Sequence, residues 1–335
     1  MTILILTFGF LFGGILQYAN LNKFNTISGL ALAKDFAVAK AILITIGVGA
    51  ILLNIEVGLG FASFHTKPLI LGGIILGGII FGAGMAILGY CPGTVPVSAG
   101  EGSLDALIGI IGGLFGGVLY TIFLPSFQGL LGPDLGNITL RTMFADNYLF
   151  YFLVFIIGGA FTAFSFVIHK KEKANNFKWL VSGIALAVLN AIIFLTEVFD
   201  RPIGASTSYP YAIDLLTGIT NNDYFSKIKV PGNWELIFLL GAFLSGFVFS
   251  LIRKDFKLKL IYSNWAEREG NSKTKRIIWA FIGGFLIIIG ARMAGGCTSG
   301  HIISGGMQFA VSSYIFAIFV FASLMITGRL FYRLK

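Results

Sequence analysis

Charged residues and cysteines are both scarce in this chain. Only 12% of its 335 residues are Asp, Glu, Lys or Arg, whereas ordinary soluble domains carry roughly 25%. With 56% hydrophobic residues and a mean hydropathy of +0.87, the chain has more apolar surface than a soluble core can bury. A bilayer accepts apolar side chains on the outside of a bundle whose backbone polar groups pair within helices. The composition therefore predicts an all-α, polytopic membrane protein.

The two cysteines, Cys91 and Cys297, are too few and too far apart in the sequence for a disulfide scaffold. The formal net charge of +9 could indicate a nucleic-acid partner, but the basic residues are not interleaved with aromatic residues on one face. They lie in short segments between apolar runs. This distribution follows the positive-inside rule of membrane proteins and predicts no nucleic-acid partner.

Nine apolar runs are predicted to span the membrane. They cover residues 3–19, 37–54, 69–90, 103–124, 147–168, 179–196, 234–252, 276–296 and 308–328. Alternating loops then place most basic residues in the cytoplasm, including the segments 169–173, 253–259 and 329–335. The pattern predicts an outside N-terminus and a cytoplasmic C-terminus. The alternative is that one short run, such as the first, does not span, which would reverse everything on one side of it.

The segments around the two cysteines resemble each other. Residues 82–93 read GAGMAILGYCPG and residues 290–300 read GARMAGGCTSG, so both contain Gly-Ala-x-Met-Ala followed by Gly-x-Cys and Gly. The predicted spans that carry them run in opposite directions, which predicts an inverted pseudo-two-fold repeat with broken helices meeting near the centre. We expect residues 1–168 to form the first membrane repeat, residues 169–178 a cytoplasmic linker and residues 179–335 the second repeat.

Each cysteine is expected at a break in a helix. Proline cannot donate its amide to a continuing helix, and clustered glycines favour irregular backbone; these residues are Gly89, Pro92, Gly93, Gly295, Gly296 and Gly300. Thr94, Thr298 and Ser299 could cap new helix starts, whose free amides attract anions. Irregular backbone at membrane depth is tolerated where it is buried in protein or lines a cavity. We therefore expect a central path with thiols beside anion-binding backbone, although each thiol taken alone could be an inert packing group.

Two ionisable residues lie in or beside the predicted eighth span. Arg292 could attract an anion, or could be tied to a backbone carbonyl or to a carboxylate such as Glu101. His301 could relay a proton or donate a hydrogen bond at the cavity mouth, or could be an ordinary interfacial histidine.

At these motifs the chain resembles the YeeE/YedE family of sulfur-compound transporters, also described as thiosulfate transporters. The resemblance lies in LGYCPGT at residues 88–94 with AGEG at residues 99–102, in GARMAGGCTSGH at residues 290–301, and in the shorter RPIGAST at residues 201–207. It implies thiosulfate uptake across the bacterial inner membrane through an hourglass-shaped bundle. It also implies that Cys91 and Cys297 pass the ion along by S–H to sulfur hydrogen bonds, and it suggests a cytoplasmic sulfur-carrier or sulfurtransferase protein as a partner.

The first helix departs from the family pattern. Family members can carry a further cysteine near its end, whereas residues 17–25 here read QYANLNKFN. Asn20 or Asn22 could supply an amide donor instead, or both could simply be polar groups at a helix end. Ser206 and Thr207 could line the opposite vestibule or cap a helix.

The favoured interpretation is a transporter for a small sulfur anion, with no covalent chemistry, no cofactor and no resident metal. A copper carrier is one alternative, because thiolate and thioether sulfur favour Cu(I); its ligands would be Met85, Cys91, Met293, Cys297, His301 and Met307. A membrane thiol oxidoreductase is a second, but the chain has no Cys-x-x-Cys pair. A structural or assembly subunit, which would need neither thiol, is a third.

Overall fold

The chain folds into a bundle of helices. The computed structural model describes residues 1–144, 146–172, 176–218 and 222–332, and its β-structure within those ranges consists of isolated bridges. The helices are α1 (Thr2–Tyr18), α2 (Phe24–Ala31), α3 (Ala37–Gly58), α4 (Leu71–Leu88), α5 (Val95–Gly100), α6 (Leu104–Leu131), α7 (Leu140–Met143), α8 (Asn147–Glu172), α9 (Lys178–Phe194), α10 (Ser208–Thr217), α11 (Asp223–Ile252), α12 (Ser263–Glu269), α13 (Lys273–Met293), a π-helix (Thr298–Gly305) and α14 (Val311–Phe331).

Each of the nine predicted spans corresponds to a helix. Seven of the described helices, namely α3, α4, α6, α8, α11, α13 and α14, are long and apolar enough to cross a bilayer. The other two, α1 and α9, are apolar but have 17 residues each. A helix of that length is about 25 Å long, slightly less than the roughly 30 Å hydrocarbon core. The predicted all-α, polytopic membrane bundle is therefore confirmed.

The largest error in the predicted bounds concerns α11. This helix begins at Asp223, whereas the predicted span began at residue 234. The side chain of Asn222 caps its first turn by accepting a hydrogen bond from the amide of Phe225 (2.9 Å), and the helix continues through Pro231. Hydropathy missed this part because Lys227 and its neighbours line a polar cavity instead of facing lipid.

Most helices of the first half of the chain pack on helices of the second half, and corresponding helices make corresponding contacts. Helix α1 packs on α11 while α9 packs on α3, and α6 packs on α13 while α14 packs on α4. The short helices follow the same rule, since α2 contacts α14 and α10 contacts α6. Two further pairs, α1 with α9 and α4 with α13, join an element to its own counterpart. This reciprocal pattern is the one that a pseudo-two-fold repeat produces.

Helices α4 and α13 cross in opposite directions. Gly73, near the start of α4, lies against Met293 at the end of α13, and Gly84, near the end of α4, lies against Ile287. The glycines permit this crossing because a Cβ on either would overlap the backbone of the partner helix. The two helices that lead to the cysteines are thus antiparallel, as an inverted repeat requires.

The predicted division of the chain stays a prediction. Helix α8 packs on α3 and extends to Glu172, inside the predicted linker 169–178, while α9 begins at Lys178. Residues 173–175 of that linker, and residues 333–335 of the basic C-terminal segment, lie outside the described residues.

Candidate functional site

The first helix break lies at Cys91. Helix α4 ends at Leu88, and Gly89 follows with a φ of +81°, a left-handed conformation that glycine adopts without steric cost. A Cβ at Gly89 would overlap the ring of Phe24. The chain then turns through Cys91, Pro92 and Gly93 before α5 begins at Val95. The predicted break is therefore present, and glycine is needed there on two counts.

Thr94 does not cap α5 as predicted. Its hydroxyl turns back on the preceding turn, where it accepts the amide of Cys91 (2.9 Å) and lies 3.4 Å from Cys91 Sγ. The short loop brings the hydroxyl nearer to Cys91 than to the amides of α5. Thr94 thus fixes the turn that carries the thiol.

A buried arginine closes the end of α4. Arg276, on α13, donates from Nη1 to the carbonyl of Ile87 (3.0 Å) and from Nη2 to that of Leu88 (2.7 Å). Its Nε also donates to Asp105 Oδ2 (3.1 Å), and both side chains are fully buried. These bonds satisfy carbonyls that a broken helix leaves without partners. Our sequence analysis did not single out Arg276, because nothing local links it to residues 87–88.

The second helix break lies at Cys297. Helix α13 ends at Met293, Gly295 has a φ of +79°, and Cys297 precedes the π-helix. The backbone amides of Ser299 and Gly300 point toward the sulfur of Cys297. The predicted side-chain caps are absent here, since neither Thr298 nor Ser299 caps the described π-helix.

His301 lies inside the protein and not at the cavity mouth. It is fully buried, with Nε2 bound to the carbonyl of Ala294 (2.7 Å) and Nδ1 to the hydroxyl of Ser313 (3.2 Å). A carbonyl only accepts, so Nε2 carries a proton and donates to it. His301 therefore closes the end of α13, as Arg276 closes the end of α4.

The two breaks contact each other. A Cβ placed on Gly93 would lie 3.0 Å from Ser299 Oγ. Tyr209, on α10, donates its hydroxyl to the carbonyl of Pro92 (3.4 Å) and is close enough to both thiols to interact electrostatically with each. A void of only about 10 Å³ adjoins Cys91 and Tyr209, which is room for one water molecule at most. The void beside Cys91 is therefore too small for a sulfur anion, and in this sense the break at Cys91 is closed.

Cys297, in contrast, is one of the residues that line a cavity of about 490 Å³. Backbone of the second break, at Gly295, Gly296 and Gly300, forms part of its wall. Four basic side chains also line it, namely Lys67, Arg201, Lys227 and Arg292. Among the described lining residues these four face one carboxylate, that of Glu235, so positive charge predominates, and a cleft with an excess of one sign of charge concentrates ions of the opposite sign. The cavity is therefore suited to an anion.

Arg292 lies in the wall of this cavity. Its Nε donates to the hydroxyl of Tyr224 (2.6 Å), and its Nη1 donates to Ser206 Oγ (3.2 Å) and Thr207 Oγ1 (2.9 Å). Ser206 and Thr207 also line this cavity, and their side chains do not cap α10. Arg292 is held by hydroxyl groups, and the suggested tie to Glu101 is wrong.

Glu101 lies in a separate polar cluster at the other side of the Cys91 break. Its carboxylate accepts from Gln17 Nε2 (2.6 Å), Asn22 Nδ2 (3.0 Å) and Lys23 Nζ (2.6 Å). Asn22 is fully buried, whereas Asn20 is exposed in a turn with a φ of +57°. Of the two asparagines considered in place of a family cysteine, Asn22 is therefore the one inside the protein.

Two of the six side chains considered as copper ligands have other partners in this structure. Met307 Sδ accepts a hydrogen bond from Asn190 (3.0 Å), and both ring nitrogens of His301 are hydrogen-bonded. Within residues 1–144, 146–172, 176–218 and 222–332, no three His, Cys, Asp or Glu residues form a group that could hold a metal ion.

Comparison with known proteins places these features in a family. Residues 23–326, which include both helix breaks and the cavity, match the family described as sulphur transport. The chain belongs to the sulphur transport family. This family member is also similar to the thiosulfate transporter TsuA of Spirochaeta thermophila, with 26% identity over 334 residues that cover 93% of each chain. The resemblance found in the sequence is confirmed, and these matches indicate a multi-pass membrane transporter.

Proposed function

We propose that this protein imports thiosulfate, or a closely related sulfur anion, across the bacterial inner membrane. The observation that carries the proposal is the cationic cavity that Cys297 helps to line. Positive charge lining the entrance raises the local concentration of an anion. The positive-inside rule orients the chain with the N-terminus outside and the C-terminus in the cytoplasm, so this cavity opens to the outside.

The anion meets the two thiols in sequence along the path. At Cys297 it accepts hydrogen bonds from the thiol and from the nearby amides of the π-helix start. It then passes Tyr209 and reaches Cys91, whose compartment must widen to admit it. Thiols are weak donors, and weak sequential sites favour passage over capture. No covalent bond to sulfur forms or breaks at either step.

Two further features support a sulfur anion as the substrate. The similar protein from Spirochaeta thermophila is named a thiosulfate transporter, and the family is described as sulphur transport. On the cytoplasmic side the path leaves near Asn22 and Glu101, and a sulfur-carrier or sulfurtransferase protein is the partner we expect to accept the anion there.

The test is uptake of radiolabelled thiosulfate by cells that lack their own importer. Wild type, Cys91→Ser and Cys297→Ser are compared at matched amounts of protein in the membrane. Ala187→Ser is the control, because it places the same hydroxyl group in a buried part of α9 away from both breaks. We expect uptake by wild type and the control, and its loss in both cysteine variants.

Each other outcome selects a different conclusion. If both cysteine variants transport at the wild-type rate, the thiols are packing groups and the proposed path is wrong. If wild type fails to take up thiosulfate but takes up sulfide, sulfite or a selenium analogue, the substrate is wrong while the path stands. Uptake that requires added copper would instead support the soft-metal carrier.

A further inference from the structure

The cationic cavity contains one carboxylate. Among the described residues that line it, Glu235 on α11 is the acidic one, facing four basic side chains. The residue is only 5% exposed. Burying a charge in a membrane protein is costly unless it is paired. A fixed negative charge in an anion path also repels the anion that the path has to carry. The position of Glu235 therefore requires an explanation beyond packing.

Glu235 occupies a place that is shaped for an oxygen anion. Its Oε2 accepts the backbone amides of Thr207 (2.7 Å) and Ser208 (3.3 Å), where α10 begins. Oε1 lies 3.8 Å from Arg201 Nη2. A Cβ on Gly204 would overlap the same Oε1, so the absence of a side chain at Gly204 leaves the space that the carboxylate fills.

The groups that hold Glu235 are those that an incoming oxyanion would use. Free amides at a helix start and a guanidinium group both bind oxyanions. Further groups close enough to interact electrostatically with this carboxylate are Lys67 from the loop before α4, Tyr224 on α11, and Arg292 and Cys297 from α13 and the break that follows it. The carboxylate and the substrate therefore share one set of partners.

We infer that Glu235 is a resident anion that competes with the transported anion for the α10 amides and Arg201. Glu235 thereby lowers the affinity of the cavity for an oxyanion, so that an arriving ion binds but can still be released. This inference rests on the proposed anion transport and adds the residue that sets its affinity. Conduction requires binding that is strong enough for entry and weak enough for release, and a tethered competitor meets both needs.

The inference is tested by calorimetric titration of the purified full-length protein with thiosulfate. Glu235→Gln keeps the shape of the side chain and removes its charge. We expect it to bind thiosulfate about tenfold more tightly than wild type, as the loss of one negative charge beside a bound anion implies. In uptake assays the same variant should show a lower KM together with a lower maximal rate, since release becomes slower.

Glu197→Gln is the matched control. It makes the same chemical change at an exposed position in the loop between α9 and α10, outside the cavity lining, and it should leave the affinity unchanged. If Glu235→Gln folds but binds thiosulfate as wild type does, or more weakly, Glu235 is a structural cap and the inference is wrong. A gain in affinity equal to that of Glu197→Gln would also overturn it, because the effect would then be general electrostatics.

A second variant keeps the test decisive if Glu235→Gln does not fold. Gly204→Ala retains the negative charge but places a methyl group where the carboxylate lies, and it too should tighten binding; unchanged or weaker binding would overturn the inference.

Sulfate is titrated in parallel. If sulfate binds and thiosulfate does not, the substrate assignment fails while the competition is still measured with sulfate. If neither anion binds either form, both proposals are wrong.

Discussion

The two helix breaks share a sequence pattern but have different surroundings. The break at Cys91 is closed in the sense that the void beside it measures about 10 Å³, whereas the break at Cys297 lines a cavity of about 490 Å³. Both thiols are buried, with Cys91 9% and Cys297 1% exposed. The first break is held by the fully buried Arg276 with its carboxylate partner, and the second by His301. A repeat thus supplies the same backbone twice, and the side chains around it decide which copy adjoins a large cavity.

The glycines at the breaks show the same contrast. Gly89 and Gly295 both adopt a positive φ, but a Cβ on Gly89 would overlap Phe24, while a Cβ on Gly295 would meet nothing within 4 Å. The backbone requirement is therefore common to both copies. The steric requirement belongs to the closed copy alone.

The largest expected difference between the two breaks is in thiol reactivity. A small, membrane-impermeant methanethiosulfonate reagent added from outside should modify Cys297 in the Cys91→Ser variant, because the cavity that this residue lines gives the reagent room to approach it. It should leave Cys91 unmodified in the Cys297→Ser variant over the same time. Mass spectrometry of the intact protein measures both, with the double serine variant as the blank. Equal modification of the two thiols would contradict the contrast between an open and a closed break.

Stability should separate the two groups that close α4 and α13. Arg276→Ala leaves Asp105 buried without its partner and should destabilise the protein by about 3–5 kcal/mol. His301→Ala removes neutral hydrogen bonds and should cost about 1–3 kcal/mol. Thermal unfolding in detergent, followed by circular dichroism, gives the order of the two effects. Lys275→Ala, a change at the exposed neighbour of Arg276, is the control, and an equal loss in His301→Ala would remove the distinction.

The glycine contrast predicts a smaller difference. Gly295→Ala should cost roughly 1–2 kcal/mol from the left-handed backbone alone. Gly89→Ala carries the same backbone penalty, and overpacking against Phe24 should add about 1–3 kcal/mol. The same unfolding measurements test this order. If the double variant Gly89→Ala with Phe24→Leu is as unstable as Gly89→Ala, contact with Phe24 is not the cause.

The open break should also respond to pH through Lys67. This residue lies in the loop before α4, where burial and the nearby Arg292 lower the pKa of its ammonium group. A lysine is charged below its pKa, so positive charge is lost from the cavity as pH rises through that lowered value. Anion affinity should then fall by about fivefold or more, because one charge close to a bound anion contributes roughly 1 kcal/mol even in water.

Titrations of wild type and Lys67→Arg across the alkaline range measure this effect. Arginine keeps its charge there, so the variant should retain its affinity as pH rises. If both forms lose affinity alike, the titrating group is elsewhere.

Much of the architecture could be predicted from residues that are neighbours in the chain. Apolar runs of spanning length predicted the nine long apolar helices found among the described residues, because a helix satisfies its own backbone and needs only local sequence to be recognised. The breaks at Cys91 and Cys297 were predicted equally well from Pro92 and the clustered glycines. The predicted start of α11 was wrong because the first turns of this helix face a polar cavity. Hydropathy does not distinguish such polar turns from a loop.

The composition of the site depended on contacts between distant parts of the chain. Arg292, Ser206 and Thr207 stand out in the sequence, but no local pattern joins them, and none points to Glu235, Tyr209 or Arg276. A carboxylate from α11 meets the start of α10, and an arginine from α13 meets the end of α4. The sequence by itself determined the helices, the breaks and the two thiols, since these follow from local backbone chemistry. Only the tertiary structure decided which break is open and which charges surround it, because that depends on the side chains that helix packing brings together.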